Sequence, residues 1–299
     1  MDDMKTLSNK RVIISGASRG IGLAIAKKLA AEGASIAILA KTDKPHARLP
    51  GTVHTAAEEI EAAGGRALPI VTDIRSEDQV KVAVAQAAEV FGGIDCCINN
   101  ASAISLTPTV KTQMKRFDLM FDVNVRGTFL VTKECIPHLS KGINPHILNI
   151  SPPLDLDPKW FAPNVAYTMS KFGMSLCVLG MAMELKVLGI AVNALWPHSV
   201  IATAAISNVV GGKSILGHCR TPEIMADAAA LILSKDAKNF SGNFCIDDVL
   251  LSDEGVVDFS NYRVDSSKNL WSDFFVPSEI PQVENLVVVN APTESEKSK

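Results

Sequence analysis

No stretch of this 299-residue chain reaches the roughly 18 uninterrupted apolar residues that a membrane span requires. The most apolar run, Phe172 to Met183, is closed off by Lys171 and Glu184. The opening MDDMKTLSNKR lacks the apolar segment of a secretory leader, and the final Lys297-Ser298-Lys299 does not match a terminal Ser-Lys-Leu peroxisomal address. Neither sign of charge is in excess: 20% of residues are charged, the net charge is −3, and no basic stripe interleaves with aromatics. Nucleic acid is therefore not an expected partner, and the short mixed segment KTDKPHAR (41–48) reads as a solvated loop, Lys41 apart. The six cysteines form no CxxC and no Cys/His ligand pattern, so no metal site is expected and the chain reads as reduced and cytoplasmic. Cys96 and Cys97, adjacent in a strand-like run, should point to opposite faces as small core residues.

What is present is ample apolar material, 47% of residues, in a repeating order of strand then helix. Strand candidates are RVIIS (11–15), SIAILA (35–40), ALPIVTD (67–73), IDCCIN (94–99), HILNI (146–150), IAVNALW (190–196) and NFCID (243–247). Helical patterns include GASRGIGLAIAKKLAAEG, VHTAAEEIEAAGG, a segment after Ser76 as N-cap, and roughly 113–138, 164–188 and 222–234. Apolar strands without alternation, separated by helices, predict a doubly wound, Rossmann-type α/β fold. It has a parallel sheet of about seven strands with helices on both faces. Residues 1–255 form this domain; from 256 the pattern dissolves into an extension too thin for a second core, ending in the polar APTESEKSK, which is expected to fray.

SGASRGIG stands where the first strand turns into the first helix, with glycines at Gly16, Gly20 and Gly22. That context puts the N–H groups of Gly16, Ala17, Ser18, Arg19, Gly20, Ile21 and Gly22 and a helix N-terminus beside a pyrophosphate. Gly16 permits the turn, Gly20 lets the backbone approach phosphate, Gly22 lets the helix pack closely, and Ser18 adds a hydroxyl. A dinucleotide site selective for NAD places an acid at the tip of strand two; here Ala40-Lys41-Thr42 has none. Lys41 and Arg19 instead offer two cations to a 2′-phosphate, which favours NADP. Asp73, at the end of strand three, either accepts from the adenine amino group or caps the following helix. Asn99 and Asn100, in NNAS after strand four, either meet the cofactor or make a plain turn.

Tyr167 and Lys171, four apart in YTMSK, fall on one face of a helix that follows the fifth strand. Such a helix starts at the carboxyl edge of the sheet, where ligands bind in this architecture. Hydride transfer to a carbonyl needs a proton donor for the oxygen, and a phenol beside an ammonium can serve, acting as general acid for reduction and general base for oxidation.

Taken together, SGASRGIG, NNAS, Asn124 in DVNVRGTFL and YTMSK resemble the short-chain dehydrogenase/reductase family over about residues 10 to 250. AAEEIEAAGG, NNASAISLT, HILNISPP and NALWP resemble, more narrowly, its hydroxysteroid dehydrogenase-like protein 2 group. The resemblance implies NADP at Gly16 to Gly22, Lys41, Asp73 and Lys171, with Tyr167 as proton acceptor. It implies a catalytic role for Asn124, which in relatives holds a water leading to the lysine; a helix-kinking polar residue is the plainer reading. Most of the family carries two serines after strand five; here Ser151 matches the first and Pro152, which offers no donor, the second. His198 stands in place of a glycine, Ser102 in place of another, and Thr203 is slightly displaced from its usual spacing after Pro197. Animal members of the group carry a sterol-carrier-like domain beyond this region, so lipid transfer is not expected of these residues.

Trp160, Phe161, Trp196 and SNVVGGKSILGHC (207–219) would flank the nicotinamide, which suits a small lipophilic alcohol or carbonyl substrate. The helix 165–187 is apolar nearly all round, predicting burial against a twin in a homodimer or homotetramer. The resemblance also admits a mitochondrial or peroxisomal location. The competing function, motivated by Pro152, is an NADP-binding scaffold or redox sensor with little turnover.

Overall fold

Strand β1 (Arg11–Ser15) is the third of seven parallel strands in a sheet of order β3-β2-β1-β4-β5-β6-β7. The others are β2 (Ser35–Ala40), β3 (Arg66–Val71), β4 (Cys96–Asn99), β5 (His146–Ile150), β6 (Ala191–Trp196) and β7 (Phe244–Ile246). This is the doubly wound Rossmann-type sheet expected from the sequence. The computed structural model describes residues 7–45, 51–207, 213–281, 283 and 288–290. The polar tail expected to fray, together with part of the segment 207–219, lies outside them.

Alternate strand residues leave for opposite faces, as parallel strands buried on both sides require. Val12, Ile14, Cys96 and Ile98 pack with helices α1 (Gly20–Ala31) and α2 (Val53–Ala62). Ile13, Cys97 and Ile147 pack with α3 (Glu77–Phe91) and with the helices that cover the other face. Cys96 and Cys97 thus divide between the faces as expected. Helix α3 begins where Ser76 accepts from the Gln79 N–H and ends at Gly92 in the left-handed region.

The long helical segment after β4 is not uniform. Helix α4 (Met114–Met120) runs into a π-helical turn, Phe121–Gly127, and then into α5 (Thr128–Leu139). Asn124 sits in that wide turn with its side chain fully buried: its amide donates to Ala103 O (2.9 Å) and Ser170 Oγ (2.9 Å) and accepts from the Ala103 N–H (2.7 Å). The side chain thus ties the wide turn to the loop after β4 and to Ser170.

After β5 come a short α6 (Pro158–Phe161) and the twenty-residue α7 (Val165–Glu184). Beyond β6, α8 (Glu223–Ser234) covers the α1 face and α9 (Asp247–Asp253) follows β7. Helix α7 is not buried all round within one chain: Met169, Leu176, Leu179 and Met183 face outward.

Residues after 255 are better fastened than their pattern suggests. Strand β8 (Leu270–Ser272) pairs in parallel with β9 (Val288–Asn290), and its Trp271 O accepts from the Val200 N–H at 2.9 Å. Phe275 enters an aromatic cluster at the carboxyl edge of the sheet, within ring-packing distance of Tyr167, Phe172, Trp196 and Trp160. An irregular segment carries no periodic signal, but its aromatics bury apolar area all the same.

Candidate functional site

Gly16 leaves β1 with φ +73°, and a Cβ there would stand 2.7 Å from the Ala101 Cα. Only glycine lets this turn lie against the NNAS loop. Asn100 fastens the two: its amide donates to Ser15 O (3.2 Å) and Gly16 O (3.0 Å), while Ser15 Oγ accepts from the Asn100 and Ala101 N–H groups. Asn99 turns the other way and bonds Thr132 and Asn149 beneath the sheet edge. The Ala17 side chain belongs to the core and Ile21 packs against it, so each has only its backbone to offer a ligand. Arg19 precedes α1 without a side-chain cap, so the first N–H groups of that helix are left for an anion. Thr203 lies over the turn, 3.5 Å from where a Cβ on Gly20 would be.

Lys41 is exposed at the end of β2, and the tip Ala40-Lys41-Thr42 carries no carboxylate. Arg19 donates to Gly51 O (2.8 Å). The nearest acid along the chain, Asp43, pairs with His54 at 2.8 Å. Asp73 is gripped by Arg75, which approaches both carboxylate oxygens and holds the group below the usual carboxylate range. Its Oδ1 also accepts from the Arg75 N–H, whereas Ser76 caps α3. The capping role left open for Asp73 therefore belongs to Ser76. Backbone donors, a clearance that any Cβ would fill and two cations fit the phosphates of a dinucleotide.

Tyr167 and Lys171 lie one turn apart near the start of α7, both buried. No hydrogen bond joins their side chains. Lys171 Nζ donates to Ile150 O (2.8 Å), touches Met174 Sδ (3.4 Å) and stands over the Trp196 ring (4.9 Å). Burial pushes Lys171 down to about 7 and pushes the Tyr167 phenol up, with Asp273 adding to the latter. Desolvation disfavours the charged form of each group. Asn124 reaches this pair only through Ser170, whose hydroxyl donates to Tyr167 O at 2.8 Å.

Ser151 is fully buried with no hydrogen-bond partner for its Oγ among the described residues. Pro152 contributes only a carbonyl, taken by Ser175 Oγ at 2.6 Å. The end of β5 therefore presents no hydroxyl to the cleft.

Tyr167 lines a cleft of about 550 Å³ whose walls include Trp160, Val200, Phe274 and Phe275. The expected flanking aromatics converge here: Trp160, Phe161 and Trp196 share one cluster with Tyr167. Polar residues line the same cleft, among them Asn164, Thr168, Ser272, His198 and Asp273. His198 Nδ1 meets both oxygens of Asp248 (2.9 and 3.0 Å), and Arg220, wholly buried, donates to Asp248 at 2.7 Å. Burial works against the Asp248 carboxylate, but His198 and Arg220 outweigh it and hold the pKa down. Asp247 beside it is pushed up to about 6 by burial and by Asp248.

In the sequence His198 stands out only as a replacement for a glycine, and Asp247, Asp248 and Asp273 belong to no motif. The paired acids follow a strand at the sheet's ligand-binding edge, a usable signal. Asp273 gave only the oddity of an acid among aromatics in WSDFF.

The model of the short chain dehydrogenase family matches residues 10–213. Hydroxysteroid dehydrogenase-like protein 2 of Danio rerio is 55% identical over 273 residues, 91% of this chain and 65% of that protein. The chain thus spans about two thirds of the length of that relative. A short chain dehydrogenase of Mycobacterium thermoresistibile has a solved structure that is 50% identical with a TM-score of 0.88, covering 94% of this chain and 99% of that one. Another, from Mycobacterium paratuberculosis and solved with NAD bound, shares the fold at 23% identity and a TM-score of 0.69, over 81% of this chain and 97% of its own.

Proposed function

Since the chain belongs to the short-chain dehydrogenase/reductase family, whose nicotinamide chemistry is oxidation and reduction, we propose that it is an NADP-dependent oxidoreductase of a lipophilic alcohol or carbonyl. Residues 1–255 would be the catalytic domain and 256–299 an extension that helps wall its cleft. The observation that carries the reading is Tyr167 lining an aromatic cleft, one turn from Lys171.

A bound nicotinamide would supply or accept the hydride. Gly16 to Gly22 would hold the pyrophosphate, Lys41 and Arg19 the 2′-phosphate, Asp73 and Asn100 the adenosine side, and Lys171 the nicotinamide ribose. Tyr167 would give its proton to the carbonyl oxygen in reduction and take it back in oxidation. Its buried phenol suits the acid role, since desolvation keeps the proton on oxygen until a substrate oxygen develops charge. Trp160, Phe274 and Phe275 would exclude water and bind apolar chain. All six cysteines are free thiols. Among the described residues no helix is long and apolar enough to cross a membrane.

The test is NADPH oxidation with lipophilic ketones, Tyr167→Phe being expected to lose at least about 100-fold in kcat. Equal turnover by that variant would remove the mechanism, and tighter binding of NADH than NADPH would refute the roles of Lys41 and Arg19. The second reading, a nucleotide-binding scaffold or redox sensor with little turnover, rests on Pro152 standing where most of the family has its second serine. It is favoured if NADPH binds tightly and no ketone is turned over.

A further inference from the structure

Tyr167 gives the substrate oxygen one donor where carbonyl reduction profits from two. Ser151 is fully buried and not among the residues that line the cleft, and Pro152 cannot donate. The cleft is closed, however, by a segment outside the sheet. Asp273 is fixed there at both neighbours: its N–H donates to His198 O (3.0 Å), and its Oδ1 accepts from the Phe274 N–H (2.7 Å). Phe274 is held in turn, its carbonyl accepting from Trp196 Nε1 at 2.7 Å, and Phe275 packs on the Tyr167 ring. One carboxyl oxygen is thereby committed, and Oδ2 has no protein partner among the described residues in a cleft that Tyr167 also lines.

We propose that Asp273 is a substrate-binding residue of this site, donating from Oδ2 the second hydrogen bond to a carbonyl oxygen that Tyr167 protonates. This rests on the oxidoreductase reading above. The proton and hydride of the reaction come from Tyr167 and the nicotinamide; Asp273 keeps its own proton throughout and only shares it. A carboxyl group can donate only when neutral, and its surroundings favour that form. Burial pushes Asp273 up to about 7, the neighbouring Asp247 adds to the rise, and the Phe274 N–H and Lys171 oppose it. The other titratable groups around it are Tyr167 on α7, Cys219, His198, and the Asp248 and Arg220 that anchor His198. A carboxylic acid kept neutral in an apolar site is an established way to build an oxyanion donor.

The experiment uses the full chain saturated with NADPH and decan-2-one as the probe. In the wild type kcat/KM falls as pH rises through about 7, because the donor is lost with its proton. Asp273→Asn keeps an N–H donor that does not titrate, so it stays within about tenfold of the wild type at pH 6 and loses that pH limb. Asp273→Ala falls about 100-fold at pH 6 with NADPH affinity unchanged, and the gap to the wild type narrows as pH rises past about 7. Wild-type activity in Asp273→Ala, or the same pH limb in Asp273→Asn, overturns the proposal. So does a wild type that neither reduces the ketone nor shows its binding by quenching of tryptophan emission at pH 6. Tyr167→Phe is run alongside: if it keeps full turnover while Asp273→Ala does not, the failure belongs to the reading of Tyr167 and not to that of Asp273.

Discussion

Lys171 Nζ bonds the carbonyl of Ile150 at 2.8 Å and makes no hydrogen bond to Tyr167. An ammonium so deep in the protein is a liability to the fold. Its pKa is pushed down to about 7 from an ordinary 10.5 by burial, so the unfolded chain holds the proton more tightly. Stability is then complete above pH 10.5 and falls as pH drops toward 7. Lys171→Met should stabilise the protein at pH 6 by about 1 to 3 kcal/mol, read as a raised melting temperature, and much less at pH 10. The same variant should lose at least about tenfold in NADPH affinity, because function retains what stability disfavours. Equal destabilisation at both pH values would mean that the bond to Ile150, not the charge, is what matters.

Gly22 is the tightest point of the phosphate cradle. A Cβ there would stand 2.9 Å from both the Ala17 Cα and Gly16 O, and would press on the Asn100 amide that ties the turn to β4. Alanine normally favours a helix over glycine by about 1 kcal/mol, but here the helix must move away from the sheet to admit it. Gly22→Ala is expected to weaken NADPH binding more than about thirtyfold while costing no more than about 2 kcal/mol of stability by urea denaturation. Unchanged affinity would show that the cradle does not depend on this close approach.

The sheet was legible because its strands are short apolar runs buried on both faces, each followed by a helical period. The glycine turn was legible because it stands between strand and helix. The π-helical turn at Phe121–Gly127 was not, since one extra residue in a turn barely changes an apolar period, and only Asn124 hinted at it. For Lys171, i and i+4 spacing gave the face it shares with Tyr167, while the burial that lowers its pKa is tertiary and leaves no local signal. Asp273 was invisible because irregular chain carries no period, and its partners Tyr167 and His198 are far away in sequence. His198 was undervalued because its anchor, Asp248, comes from another element.

His146 gives the fold an acid limb. It is fully buried in β5, with Nε2 3.0 Å from Lys235 O and Nδ1 without a partner among the described residues. Burial drives its pKa down to about 4 from 6.5. The folded state therefore resists the proton that the unfolded chain accepts. The contribution is intact above pH 6.5 and is lost progressively as pH falls toward 4, by about 3 kcal/mol in all. His146→Gln keeps a donor for Lys235 O without titrating. Urea midpoints measured from pH 7 to 4.5 should fall more steeply for the wild type than for this variant; parallel slopes would place the acid sensitivity elsewhere.

Helix α7 buries one face on β5 and β6 and leaves the other bare. Leu176 is 57% exposed, Leu179 54% and Met183 74%, and Gly180 between them has nothing within 4 Å of an added Cβ. Water-facing leucines on consecutive turns, beside a glycine that allows close approach, are what a helix shows when its partner is another copy of itself. Each such side chain contributes about 1.5 to 3 kcal/mol on burial, so two charges placed in the stripe should abolish the contact. Leu179→Glu with Met183→Glu is expected to halve or quarter the mass seen by light scattering while the monomer still binds NADPH. A wild type that is already monomeric at micromolar concentration would sink this, and would leave the stripe without a function.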